Sequence, residues 1–392
     1  MHTFNAIEAA TRADPYPYYA TLLAGAPLQY DVRLGLWLAA QAQVVGALLC
    51  HPDCHVRPAA QVVPATLAGG SAGQIFGQLL RMNEGDKHTR PKLALGRALA
   101  GVDLAAARAC ARDIAADLAG AGDLPLADAL SAWIFKVPLY AMASLLGFPR
   151  RQWAPLAAWM ADFVACFSPL SDDAHIARAN EAALALLQSF RDLLAQAPPA
   201  PGSLLAGVMD EAAALAWDDG RAILANLVGL LSQTYEASAG LIGNSVTALL
   251  SRPGLAETVH GAPQRAMELV REVSRFDPPV QNTRRFVARS TVVAGVELAQ
   301  GQAILLLLGA ASRDPAANIR PDEFLLERQD RRVFGFGHGP HACPGHALAC
   351  AMAAGAIDAL PPHWLPPGRL QWSYRPSVNA RIPVFFYPQE LA

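Results

Sequence analysis

The sequence predicts a mainly α protein with a small β region, and three observations carry that prediction. Most of the first two thirds is rich in alanine and leucine, with apolar residues at helical spacing and few strand-like alternations. The character changes after Pro278-Pro279, where short β-rich runs broken by glycine begin. A further helical segment and a β-like tail follow. No fixed-period repeat and no low-complexity linker divides the 392 residues, so one domain over 1–392 is expected.

Taken in order, the strongest helices are expected over residues 104–118, 126–146, 178–195 and 221–250. Pro and Gly punctuation separates them, as at Gly147-Phe-Pro149 and Pro198-Pro-Ala-Pro201. Between Arg285 and Leu308 the runs Phe286-Val287, Thr291-Val292-Val293 and 304–308, interrupted at Gly295 and Gly301, predict a small sheet. A loop-rich stretch over 312–342 leads into a last helix over 345–360, and 382–387 reads as β.

Composition excludes several classes of function. With 53% of residues hydrophobic, the chain is not mainly disordered. A net charge of -2 with 16% charged residues leaves no broad electrostatic footprint for nucleic acid. The six cysteines, Cys50, Cys54, Cys110, Cys166, Cys343 and Cys350, are too sparse for a disulfide framework. The first fifteen residues lack the basic stretch and apolar core of a secretory signal. The apolar run 303–311 is interrupted by glycine and far short of the roughly 20 residues that span a bilayer. A soluble, cytoplasmic protein of a reducing compartment is expected.

The segment Phe336-Gly-His-Gly-Pro-His-Ala-Cys-Pro-Gly345 joins a glycine-rich loop to a helix start. A thiolate is the nucleophilic and metal-binding form of cysteine, and a helix N-terminus lowers its pKa. Glycines at 337, 339 and 345 allow tight turning and close approach to a flat ligand. By themselves these residues also admit a buried core cysteine, a zinc site from His338, His341, Cys343 and His346, or a nucleotide loop. At this spacing, Phe336, Gly337, Gly339, His341, Cys343 and Gly345 resemble the haem-ligand loop of the cytochrome P450 family. The resemblance implies the fold of that family, a helical prism around buried haem b, with Cys343 as axial thiolate to iron.

Further motifs extend it. Glu272-Val-Ser-Arg275 precedes Phe276-Asp-Pro-Pro-Val280, as the family's paired Glu and Arg precede a similar turn. At i, i+3 the two share a helical face. A second such pair, Glu268-Leu-Val-Arg271, lies beside it, and Glu323 stands where related chains often carry arginine, so Arg328 is expected as third member of the network. His88 and Lys92, at i, i+4 on one helix face, Arg285 on the first inner strand, and His341 are implied partners of the haem propionates. Arg284, adjacent on that strand, is expected on the opposite face.

The long helix departs most from the family pattern. Anchoring on Leu241-Ile-Gly-Asn244 puts Glu236 at the family's acid, but Ala237 replaces the threonine that orders the proton-delivering water. Thr234 and Ser238 flank that position and are expected either to hold the water or, for Ser238, to bond back to the helix. Other routes stay open: a substrate group fills the gap, or the chemistry is coupling or desaturation rather than hydroxylation. The N-terminal Asp14-Pro-Tyr-Pro-Tyr-Tyr-Ala-Thr-Leu and Gly35-Leu-Trp37 resemble the entry helix and first strands of soluble bacterial members. The match is weakest over 61–76 and 163–173, segments that in the family lie over the substrate.

The resemblance implies oxidative tailoring of a secondary metabolite, free or carrier-bound, with O2 and electrons from a separate ferredoxin-like donor. Lys87, Arg90, Lys92 and Arg97 offer that acidic donor a basic face. Substrate-facing residues are expected at Thr234, Ala237, Ser238, the turn 280–283 and 378–382, with Arg381 meeting an anionic or carbonyl group. Cys50-His51 with Cys54-His55 has ligand-like spacing, but Pro52 and Pro58 favour a turn. Alternatives are a haem-containing binding module with little turnover and a peroxide-driven enzyme.

Overall fold

A computed structural model describes residues 4–120, 126–168, 171–195, 199–260, 262–366 and 368–388. Helix dominates, as the alanine and leucine periodicity predicts. The helix expected over 126–146 is found at Leu126–Leu146, that over 104–118 at Leu104–Gly120, and that over 221–250 at Gly220–Ser251. The last, called the central helix below, begins where the Asp219 side chain accepts from Arg221 N and Ala222 N, each at 3.0 Å. The helix expected over 178–195 starts earlier, at Asp173–Ala195, because Asp172 accepts the His175 amide at 2.9 Å and caps an extra turn. Of the expected Pro-rich break, Pro198 lies outside the described residues.

Helix Leu104–Gly120 buries Ala107, Ala111, Ile114 and Ala115, one stripe at i, i+4, i+7 and i+8. That stripe packs on helix His346–Asp358, where a Cβ on Gly355 would lie 2.2 Å from Arg108 O. Small residues on both helices therefore set a close approach. Helix Leu126–Leu146 buries residues on every side, and the Trp133 indole finds Ala115 O at 3.0 Å. It is long and apolar enough to cross a membrane by length and composition, with 56% of its apolar window buried inside the protein.

The β region comprises β1 (Gln29–Asp31), β2 (Leu36–Ala39), β3 (Cys54–His55), β4 (Thr283–Val287), β5 (Thr291–Val293), β6 (Val296–Leu298), β7 (Ala303–Leu306), β8 (Gln371–Tyr374) and β9 (Pro383–Phe386). Strands β1-β2-β7-β4-β3 form one sheet, and β5-β6 and β8-β9 are two-stranded. Gly295, in the turn between β5 and β6, and Gly301, between β6 and β7, sit at φ +79° and +87°, the left-handed region that glycine enters without a Cβ clash. The expected run to Leu308 stops at Leu306, where β7's pairing with Ala39 and Thr283 ends. Leu308 instead opens the short helix Leu308–Ala311.

Two of these packings position the cavity described next. Gly240 and Gly243 let the central helix seat against the C-terminal segment, since a Cβ would lie 2.6 Å from Pro279 Cβ and 2.6 Å from Pro383 Cγ respectively. β4 joins β7 through Arg285↔Ile304, which turns Arg285 inward while its neighbour Arg284 stays exposed, the alternation a strand imposes.

Candidate active site

The loop carrying Cys343 is folded on itself by its backbone. Gly337 N donates to Phe334 O and Cys343 N to Phe336 O, both at 2.8 Å, and Ala342 N to Gly339 O at 3.0 Å. Gly337 and Gly339 sit at φ +69° and +66°. A Cβ on Gly339 would also lie 2.5 Å from Cys50 Sγ, so the loop's seat on helix Ala42–Cys50 requires glycine for two reasons. Phe336 stacks on His346 with ring centroids 3.8 Å apart, tying the loop to the helix that follows.

Cys343 opens onto a cavity of about 900 Å³. The surrounding protein desolvates the sulfur and raises its thiol pKa, while the Gly345 amide and the Lys92 ammonium act in the opposite direction. A net lowering by the helix start was expected. Cys343 is exposed to the cavity, and metal coordination is what removes the proton from such a thiol.

The four basic residues expected beside a cofactor gather at this loop. His88 is 5% exposed and stacks on His341, and Lys92, one turn on, donates to Ala342 O. His341 Nε2 contacts Glu84 Oε2 at 3.0 Å, and Glu84 also accepts from Val56 N at 3.0 Å. The sequence reading missed Glu84, which no motif singles out. Arg285 is 3% exposed and donates to the Arg284 carbonyl at 3.0 Å. Burial lowers the pKa of Lys92 and Arg285 and takes that of His88 to about 4.

A flat dianionic cofactor fits these residues. The buried His88 Nε2 has no hydrogen-bond partner, and Arg285 has no carboxylate within ion-pair distance among the described residues. Buried cations without anions are costly, and two propionates would supply the missing charge beside the thiol that would hold the iron.

The central helix presents Gln233 and Glu236, one turn apart, to the same cavity. Burial raises the Glu236 carboxyl pKa, and the guanidiniums of Arg375 and Arg81 act against that rise. The expectation for Thr234 and Ser238 needs correction. Both are buried, at 8% and 3% exposure, and neither lines the cavity. Thr234 Oγ1 donates back to Leu230 O at 2.8 Å, and Ser238 shares its face one turn on, turned into the core.

Of the expected substrate-facing segments, Val280, Asn282, Thr283, Val378, Asn379 and Ile382 line the cavity. Gln281 does not: it is buried with Nε2 on Pro278 O at 2.8 Å. Arg381 is likewise corrected. It pairs with Asp277 at 2.7 Å, donates to Ala13 O at 2.8 Å and covers the Tyr374 ring, so it ties down the N-terminal segment. Gln61, Pro64 and Phe76 and then Val164, Ala165, Phe167, Ser168 and Ser171 complete the walls, while 169–170 lie outside the described residues. Arg81, on the turn Leu80–Met82, and Arg375, just after β8, also line it, and the sequence reading named neither.

Behind the thiolate loop lies the charge network. Glu272 and Arg275 are both fully buried and paired at 2.6 Å. Arg328 reaches the same carboxylate at 3.3 Å, as expected, and Arg331 adds an unexpected fourth member at 3.0 Å. The surplus guanidinium donors are satisfied by carbonyls, Arg275 by Pro321 O at 2.7 Å and Glu323 O at 3.0 Å. Glu268 pairs with Arg265 at 3.0 Å rather than with Arg271. Lys87 is exposed, Arg90 bonds Ala216 O at 3.1 Å and Arg97 pairs with Glu211 at 3.4 Å. Cys50 ends its helix, and Cys54 is buried in β3 opposite Val287.

A family model described as Cytochrome P450 matches residues 267–356, the stretch from the Glu272 network to the helix after Cys343. The 6-deoxyerythronolide B hydroxylase of Saccharopolyspora erythraea is 28% identical over 61% of this chain and 58% of its own. Across the curated relatives matched most strongly, the aligned region spans between 51% and 67% of their length. The crystal structure of CalO2 superposes with a TM-score of 0.84 at 23% identity, covering 99% of both chains. That of P450BioI in complex with hexadec-9Z-enoic acid ligated acyl carrier protein gives 0.76 at 22%, covering 95% of this chain and 97% of the other. Sequence likeness centred on the thiol loop, joined to a superposition over almost the whole length, gives this chain the cytochrome P450 fold and a Cys343 segment that matches the model of that family.

Proposed function

We propose that the chain, folded as one domain, binds haem b through Cys343 and hydroxylates a secondary-metabolite substrate, using O2 and electrons from a separate ferredoxin-like donor. The observation that carries this reading is that Cys343 and Glu236, a metal-binding thiol and a half-buried acid, line one cavity with basic residues at its edge. The hydroxylase among the relatives supports the reaction type.

Bound there, haem supplies the activation of dioxygen and the insertion of oxygen into the substrate. Cys343 would hold its iron through the thiolate, and His88, Lys92, Arg285 and His341 would hold its propionates. Glu84 orients the His341 ring through Nε2. Glu236 is the carboxyl placed to take up and release a proton, with burial raising its pKa and Arg375 and Arg81 acting against that rise. Gln233 donates through Nε2 to Gly229 O at 3.0 Å, which fixes its amide on the cavity wall one turn before Glu236. This amide, rather than the Thr234 or Ser238 hydroxyl, is placed to order water beside the acid. The exposed Lys87 and Arg90 offer an acidic electron donor a basic contact.

Ala237 in place of the family's threonine favours one second reading, a haem protein that binds its ligand with little turnover. The purified holoprotein, supplied with ferredoxin, ferredoxin reductase and candidate substrates, separates the two. An oxygenated product that depends on substrate and reductant supports the enzyme. A thiolate-type carbon monoxide spectrum with no oxidation of any ligand that binds favours the second reading.

A further inference from the structure

We propose that the substrate is a monocarboxylic acid with an apolar body, and that Arg81, assisted by Arg375, binds its carboxylate. This rests on the reading of the cavity as the substrate site and narrows it to a chemical class.

The argument begins with where buried arginines in this protein find their anions. Arg275, Arg328 and Arg331 share Glu272, Arg313 has Asp322 at 3.2 Å, and Arg381 has Asp277. Arg285 lacks a carboxylate but lies among the proposed propionate ligands. Arg81, half-buried in the cavity wall, also lacks one among the described residues. Its Nε is buried without any hydrogen-bond partner, and no ion pair reaches its guanidinium among the described residues. Burial accordingly lowers its pKa, with the Glu236 charge acting in the opposite sense.

The position of Arg81 is fixed rather than adventitious. Asn226, on the central helix, accepts Leu80 N at 2.9 Å and donates to Gln78 O at 2.9 Å, clamping the turn that carries Arg81. The guanidinium carbon lies 5.7 Å from the centroid of Phe167, whose ring is tilted against Phe76 at 5.7 Å. A cation beside a pair of cavity-lining phenyl rings suits a ligand with a charged head and an apolar body.

Charge balance points the same way. Arg375, itself exposed, lines the cavity mouth 5.0 Å from the Phe135 ring and has no ion pair among the described residues. Arg57, also in the wall, is spent on Val62 O at 2.6 Å and Asn83 Oδ1 at 2.8 Å. Two unpaired guanidiniums thus face one carboxylate, Glu236, whose ionisation burial opposes. A ligand anion supplies what the wall lacks. The free edge of Arg81 includes Nε, and the Nε and Nη donors of one edge match the two oxygens of a carboxylate.

The test uses the haem-loaded protein and Soret titration with straight-chain and aryl monocarboxylates, each beside its methyl ester, primary alcohol and simple thioester. At least one acid is expected to bind roughly tenfold or more tightly than its uncharged analogues. Arg81→Ala should abolish that preference, Arg81→Lys restore part of it, and Arg375→Ala weaken it less, with the thiolate-type carbon monoxide band unchanged in all three. Esters or thioesters binding as tightly as the acids, no acid binding at all, or a preference that survives Arg81→Ala overturns the proposal. A protein that shows no thiolate-type band fails the earlier reading instead, so the two failures are distinguishable.

Discussion

His88 and His341 lie ring over ring, their centroids 4.0 Å apart and their planes 30° apart. One stands in the first turn of helix Asp86–Ala100 and the other in the thiolate loop, so the stack joins the two elements that edge the cavity. Glu84 occupies Nε2 of His341, whereas Nε2 of His88 is buried and unpartnered. Among the described residues no acceptor meets that nitrogen.

If a haem propionate supplies that acceptor, His88→Phe keeps a stacking ring and removes only the donor. The variant should release haem to an excess of apomyoglobin roughly tenfold faster than the parent, the scale of one lost charge-assisted hydrogen bond. An unchanged transfer rate contradicts the assignment.

Glu272 is the one anion for three buried guanidiniums. Glu272→Gln keeps the shape and removes the charge, and breaking a buried pair from one side costs about 3–5 kcal/mol. The urea midpoint should fall accordingly. A midpoint equal to that of the parent shows the network to be dispensable.

Glu236→Gln should separate stability from turnover. Burial holds the folded carboxyl pKa above its unfolded value, so its stabilising contribution is complete below the unfolded pKa and is lost as pH rises through the folded one. The glutamine variant should therefore melt with the parent at acid pH and above it at neutral pH. Its product formation should drop by about 10²-fold, the scale of one proton-transfer group. Equal melting at neutral pH contradicts the electrostatic account, and undiminished product contradicts the role of the acid.

Gly355→Ala tests the close helix pair. The added Cβ would meet Arg108 O at 2.2 Å, and overpacking of this kind costs typically about 1–3 kcal/mol. A lower thermal midpoint is expected, and an unchanged one contradicts the approach described for these helices.

What the sequence made legible was local. Helix Leu126–Leu146 and β5 at Thr291–Val293 were readable to the residue because periodicity and punctuation mark them. β3 was not, since Cys54 and His55 become a strand only by pairing with Val287 and Phe286, far along the chain. The run through Leu308 misled because burial alone does not distinguish strand from helix. The Phe336–Gly345 motif was legible for the same local reason. Charges were harder. Arg381 looked available for a ligand until the fold brought Asp277 to it, and Arg331 looked unremarkable until it met Glu272. Arg81 and Arg375 were invisible, because what distinguishes them is the lack of an ion-pair partner among the described residues. Thr234 and Ser238 do share a helical face, but the residues that meet the cavity are Gln233 and Glu236.

The ligand role of Cys343 is tested most directly by the reduced carbon monoxide difference spectrum of the parent protein and of Cys343→Ser, each loaded with haem. The parent should show the thiolate-type Soret band and the variant should lose it. A parent without that band, or a variant that keeps it, contradicts the assignment of Cys343 as the iron ligand.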